Sequence, residues 1–218
     1  MFYCPYLFNN KDYYRQAPVL AHVRLLHASP NAPAVDVYAN DKRLVANLAY
    51  RTFTEYITTP SGNYNIKVYR AGTKINPIVN TTLFVPQGSF FTLAAVGTSP
   101  NISIYPVPEP PITRAPGSAC IRFVHLAPDA PAVDVTHPNG DKLFSNVPYK
   151  GFTSYKCLPP GKHSLDIRVA GTEDIALSNP SIRLLPNRFY SIYAVGLSGT
   201  TPPLQMLIAL DGRTYIGS

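Results

Sequence analysis

The sequence predicts an all-β protein: two tandem Ig-like, Greek-key β-sandwich domains joined by a Pro-rich linker, with an extended N-terminal arm. Three observations predict it. The 218 residues include 23 Pro and 13 Gly, and an interior Pro costs a helix about 3 kcal/mol, so a helical bundle is excluded. The chain also repeats itself. HASPNAPAVDVY at 27–38 lies over HLAPDAPAVDVT at 125–136 without a gap, and a period this long marks two copies of a whole domain. Finally, apolar side chains alternate, with Tyr64, Ile66 and Val68 on one side and Asn65, Lys67 and Tyr69 on the other. That is the period of a strand with one buried face.

Residues 1–20 precede the repeat and carry Phe2, Tyr3, Tyr6, Phe8, Tyr13 and Tyr14, with Cys4 among them. Disordered tails are poor in aromatics, so this arm is expected to dock. Its even positions Phe2, Cys4, Tyr6 and Phe8 suit one face of a strand. Such a strand either folds back on its own domain or adds to an open sheet edge of a neighbour. Phe2, Tyr3, Cys4, Tyr6 and Phe8 are therefore the candidate assembly residues.

The first sandwich is expected over 21–107, with strands at 22–28, 35–39, 52–58, 63–70, 80–85, 90–97 and 102–107. Pro-Ser-Gly and Pro-Gln-Gly turns separate several of them. Residues 108–118 are the linker; five of the twelve residues at 106–117 are Pro. Polyproline geometry makes such a segment a semi-rigid spacer that holds the domains apart or at a restricted angle. The second sandwich is expected over 119–218. It contains Asp211-Gly212, a favoured two-residue turn, so an extra C-terminal hairpin is expected with 213–217 as an edge strand.

One inserted residue moves the repeat offset from 98 to 99, after which Tyr50, Phe53, Tyr56, Pro60 and Gly62 meet Tyr149, Phe152, Tyr155, Pro159 and Gly161. Ala71-Gly72-Thr73 meets Ala170-Gly171-Thr172, and Ala95-Val96-Gly97 meets Ala194-Val195-Gly196. These motifs, led by His-x-x-Pro-x-Ala-Pro-x-Val-Asp-Val at His27 and His125, resemble the tandem bacterial "domain of unknown function 4397". The resemblance covers roughly 21–107 and 119–210. It implies a β-sandwich used in surface or secreted bacterial proteins, and implies no activity. His163 stands where the turn motif has Tyr, and Tyr38 becomes Thr136, so neither aromatic is essential to both copies.

The chemistry-bearing residues are few. His27 and Asp36, like His125 and Asp134, lie nine apart across a Pro-rich turn. A His–carboxylate pair can orient an imidazole for catalysis or a metal. No nucleophile recurs beside them, however, and a metal needs about three protein ligands. The expected role is structural: His and Asp bond each other or the turn backbone and fix the corner. Three cysteines leave two readings open: reduced thiols throughout, or a Cys120–Cys157 disulfide with an intermolecular role for Cys4, which needs an oxidising setting.

The net charge of +7 comes from 19 Lys and Arg against 12 Asp and Glu, and only 14% of residues are charged. The basic residues are scattered, without the dense stripe that phosphate binding requires. The N-terminus has no basic and apolar signal pattern, and no apolar run reaches 18 residues. The sequence therefore points to a non-enzymatic protein without cofactor, nucleic-acid partner or membrane insertion, at the cell or spore surface or outside the cell. The leading expectation is a self-assembling subunit of a bacterial surface layer, fibre or spore coat, with itself as partner and other surface proteins or glycans as further candidates. The alternative is a carbohydrate- or surface-binding tandem module, in which exposed Tyr50, Tyr56, Tyr149 and Tyr155 would stack on sugars.

Overall fold

The computed structural model describes residues 19–216. The candidate assembly residues Phe2, Tyr3, Cys4, Tyr6 and Phe8 thus lie outside the described residues. The first repeat forms β1 (Ala21–His27), β2 (Val35–Ala39), β3 (Lys42–Leu48), β4 (Ile57–Thr59), β5 (Gly62–Arg70), β6 (Val79–Val85), β7 (Phe90–Val96) and β8 (Ser103–Pro108). The second forms β9 (Ala119–His125), β10 (Val133–Thr136), β11 (Lys142–Val147), β12 (Lys156–Leu158), β13 (Gly161–Val169), β14 (Ile175–Leu184), β15 (Arg188–Val195) and β16 (Gln205–Leu210). A short 3-10 turn, Gly212–Thr214, follows.

Each repeat is a sandwich of two four-stranded sheets. In the first, an outer sheet β3-β2-β5-β6 faces an inner sheet β4-β1-β7-β8; the second repeats this as β11-β10-β13-β14 and β12-β9-β15-β16. The alternation read in the sequence places Ile66 and Val68 of β5 in the core with Val23, Leu25, Val35, Val37 and Leu93. Leu165 and Ile167 of β13 do the same beside Ile121 and Phe123. Tyr69, on the opposite face of β5, is also buried and meets the Tyr38 ring edge-on at 5.5 Å.

The central strands of the inner sheets are buried on both faces. Strand β1 runs parallel to β7, and β9 parallel to β15, and β7 and β9 are buried along their whole length. Strands covered on both sides read as continuous apolar runs. Their second faces pack against each other: Leu26, Ala28, Ala94, Val96 and Val107 of the first sandwich form one cluster with Val124, Leu126, Tyr193, Val195 and Ala209 of the second. The molecule is thus a four-layer stack of sheets.

Three sequence expectations change. The Pro-rich segment is no spacer holding the sandwiches apart, because the inner sheets bury a shared core across its span. Strand β3 was not expected, and of the expected strand at 52–58 only residues 57 and 58 are regular, within Ile57–Thr59, with Phe53 forming an isolated bridge to Leu26. Strand β3 begins on Lys42-Arg43 and shifts register against β2, which blurs its alternation. In place of the expected C-terminal hairpin, Asp211 is fully buried and the chain turns through Gly212–Thr214. The amide N–H of Gly212 is held at 3.0 Å by both the Tyr56 hydroxyl and Glu109 Oε2.

Candidate functional site

The duplicated His and Asp do not form a pair. The His27 Nε2–H donates to the Pro33 carbonyl at 3.0 Å, while Nδ1 accepts the Ser29 N–H at 3.3 Å. His125 repeats this with Pro131 and Ala127 at the same distances. An imidazole that accepts at Nδ1 and donates at Nε2 is neutral and in one tautomer. Burial lowers both pKa values below the ordinary histidine value, against a smaller opposing effect of the carbonyl partners. Tyr50 and Tyr149 close over these rings edge-on at 6.0 and 6.3 Å.

Asp36 serves a different corner. Its carboxylate accepts the N–H of Asn47 at 2.8 Å and of Gly72 at 3.2 Å, and Asp134 accepts those of Asn146 and Gly171 at 2.7 and 3.4 Å. Asn47 and Asn146 stand at positive φ, 54° and 51°, where Asn is among the few tolerated side chains. The Val-Asp-Val and Ala-Gly-Thr motifs are therefore two ends of one strap. Burial of Asp134 opposes its charge, but Lys142 at 2.7 Å and the two N–H groups hold its carboxyl below the ordinary value. At both corners the ring nitrogens and carboxylate oxygens bond mainly backbone groups.

The turn substitution has the same character. Tyr64 donates its hydroxyl to the Pro60 carbonyl, and His163 donates Nε2–H to that of Pro159, both at 2.9 Å. The ring type changes and the bond stays. The closing Ala-Val-Gly motif needs its glycine: at Gly97, φ is 90° and a Cβ would strike the Asn101 carbonyl oxygen. Cys120 and Cys157, register partners on β9 and β12, are joined in a disulfide.

The largest buried polar cluster lies between the sandwiches, where sequence reading did not place a site. Arg24 and Arg122 are repeat equivalents on β1 and β9, buried to 4% and 0% exposure. The Nε of Arg24 donates to Thr92 Oγ1 at 2.8 Å, as Arg122 Nε does to Ser191 Oγ at 2.6 Å. Each then reaches across: Arg24 Nη1 donates to the Leu210 carbonyl at 2.7 Å, and Arg122 Nη1 to that of Pro108. Two carboxylates complete the cluster. Glu109 and Asp211 hold equivalent places just past β8 and β16, bonding the carbonyls of Phe90 and Phe189 through their own N–H groups at 2.7 and 2.9 Å.

Asp211 accepts Arg24 Nη2 at 2.9 Å, the Tyr155 hydroxyl at 2.5 Å and the Ser191 hydroxyl at 2.7 Å. Glu109 accepts the Tyr56 hydroxyl and lies 3.7 Å from Arg24 Nη2. Burial and the Asp211 charge raise the Glu109 carboxyl above its ordinary value, against the pull of Arg24 and Arg122. Burial opposes the charge of Arg24, yet the groups facing it, Tyr193 first, keep it above the ordinary value. The near-symmetry breaks at one place. Tyr193 donates to Thr92 and receives Arg24 Nη2, whereas its equivalent is Ala94, and Arg122 Nη2 has no partner among the described residues.

This cluster fastens the two halves, and every side-chain polar group in it except Arg122 Nη2 has a partner among the described residues. Among the described residues, no three His, Cys, Asp or Glu side chains converge to hold a metal ion, and no helix is long and apolar enough to cross a membrane.

The sheet edges remain. Natural edges are blunted by Pro, charge, bulges or shortness. Strands β4 and β12 have three residues each. Strand β8 carries Pro106 and Pro108, β14 carries Pro180 and shifts register, and β3 and β11 carry lysine and shift register. Two edges have none of these: β6, VNTTLFV, and β16, QMLIAL, both in unbroken register. Strand β6 is the longer, and its Phe84 is 58% exposed. The residue of β6 equivalent to Pro180 is Thr81.

A family model described as "Domain of unknown function (DUF4397)" matches residues 21–136, more than half of the chain, through the first sandwich and into β10. A search of curated proteins found no match. Among solved structures, the chain is similar to a family CBM26 carbohydrate-binding module from Eubacterium rectale Amy13K, crystallised with maltoheptaose. The identity is 9%, over 87% of this chain and 96% of that one, with a TM-score of 0.29. It is also similar to a fimbrial assembly protein from Parabacteroides distasonis, at 13% identity over 89% and 99% of the two chains, with a TM-score of 0.25. Likeness at this level carries no functional argument.

Proposed function

The chain belongs to the DUF4397 family, a domain of unknown function, and from that premise we propose that it is a structural, self-assembling subunit of a bacterial surface layer, fibre or spore coat. We take the second sandwich as a further copy of the same domain, because it repeats the backbone hydrogen bonds of the His corner and the Asp strap. The proposed joint is strand addition, in which the N-terminal arm of one molecule pairs with an exposed edge of the next.

The observation that carries this reading is the β6 edge. Seven residues without Pro, charge or bulge offer an unpaired row of backbone N–H and C=O groups, while the equivalent β14 is broken by Pro180. An outer-sheet edge left open in the first copy and guarded in the second suits one-directional addition. Head-to-tail addition of this kind does not close on itself and produces fibres. The glycan alternative lacks its platform, since Tyr50, Tyr56, Tyr149 and Tyr155 are all half-buried.

The test is negative-stain microscopy of the purified full chain beside a form lacking residues 1–20. Fibres or layers that vanish on truncation support the proposal. Assemblies that survive truncation, or single particles in both samples, overturn it.

A further inference from the structure

The first sandwich contains an apolar cavity of about 50 Å³ at the end where β1 begins, lined by Val23, Ile66, Val85 and Leu93 at its base. Leu44, Ile57, Thr59, Tyr64 and Leu83, all half-buried, form its rim. The lining therefore reaches the surface between the two sheets. Packed interiors leave few voids of this size, and the second sandwich carries larger side chains at three of the equivalent positions. Ile121 stands for Val23, Leu158 for Thr59 and Leu184 for Val85, each the larger side chain, and Ile121 and Leu184 are almost wholly buried. The slot lies in the same copy that leaves its outer edge open.

We propose that this slot is the acceptor for an apolar side chain of the 1–18 segment of a neighbouring molecule, lodged as that segment pairs along β6. The inference rests on the strand-addition reading and names its receiving site. Leu83 and Val85 belong both to the slot lining and to β6. A strand added at β6 therefore sets alternate side chains beside them, between the sheets, and the others outside beside Phe84. The arm has the matching period, with Phe2, Cys4, Tyr6 and Phe8 on one face.

The described chain starts at this end. Val19 packs on the β6–β7 turn, where a Cβ on Gly88 would meet Val19 Cγ1 at 3.1 Å, and its side chain is 57% exposed. Eighteen residues span up to about 60 Å when extended, enough to bridge two molecules.

Sedimentation velocity on three full-length proteins tests this: the parent, Val23→Ile/Thr59→Leu/Val85→Leu, and Phe2→Ser/Phe8→Ser. The first variant imports the second sandwich's own residues, and urea unfolding confirms its fold; Thr59→Leu alone is the milder form if the triple variant unfolds. The expected result is an assembling parent and two monomeric variants, with the filled-slot protein melting no lower than the parent. A filled-slot protein that assembles like the parent while the arm variant stays monomeric overturns the slot and leaves strand addition standing. An arm variant that assembles, or a monomeric parent, overturns both.

Discussion

Replacing Asp211 with Asn changes one buried charge and almost no volume, and it should uncouple the two sandwiches. The Asp211 carboxylate faces two guanidiniums, at 2.9 Å from Arg24 Nη2 and 3.7 Å from Arg122 Nε, and all three side chains are at most 4% exposed. In the variant both arginines face Glu109 alone. Removing one partner from a buried ion pair costs about 3–5 kcal/mol. The lower end applies, because the Tyr155 and Ser191 hydroxyls can rotate to accept from the new amide. A loss of about 3 kcal/mol lowers the melting temperature of a chain this size by about 6–12 °C. Urea unfolding gives the loss directly, and a second, earlier transition should appear as the halves part before they unfold. In a double-mutant cycle with Arg24→Met, the pair should cost clearly less than the sum of the single changes. A single-transition loss under about 1 kcal/mol, or additive effects, would refute the assignment of this cluster as the fastening between the halves.

Other expectations follow from the corners and the disulfide. His27 and His125 have lowered pKa values, so the unfolded chain binds protons that the folded chain refuses. Their stabilisation is complete above about pH 6.5 and is lost as pH falls below it, at up to about 1.4 kcal/mol per pH unit for each ring. Nitrogen NMR at pH 6.5 should show the His27 and His125 rings neutral and protonated at Nε2, and an imidazolium signal assigned to either ring would contradict the corner geometry. The Cys120–Cys157 bridge spans 37 residues, for which chain entropy gives about 4 kcal/mol. Cys157→Ser should lower the urea midpoint accordingly, and an unchanged midpoint would mean that the bridge does not form in solution.

Much of the fold was legible because the repeat doubles every signal. The alternation of β5 is confirmed by β13, and each turn glycine by its partner. Strand β3 escaped because an edge strand that opens on two basic residues and bulges against its neighbour keeps no clean period. The interface escaped for a different reason. Arg24 and Arg122 align in the repeat, each a lone charge inside an apolar strand, and that was a readable sign of a second buried face. Their carboxylate partners were hidden: Glu109 sits within the proline run and reads as linker, while Asp211 precedes Gly212 and reads as a hairpin turn. Additional residues in the preceding loop shift these two out of the repeat offset, so no alignment at 98 or 99 brings them together. The second faces of β1 and β7 are covered by the other half.

The most direct measurement for the account as a whole is hydrogen exchange on assembled against dispersed protein, read at the amides of residues 79–85. Protection of the outward β6 amides in the assembly, with the β14 amides unchanged, is the predicted result. Equal exchange at β6 in the two states would contradict the claim that this edge is where one molecule takes hold of the next.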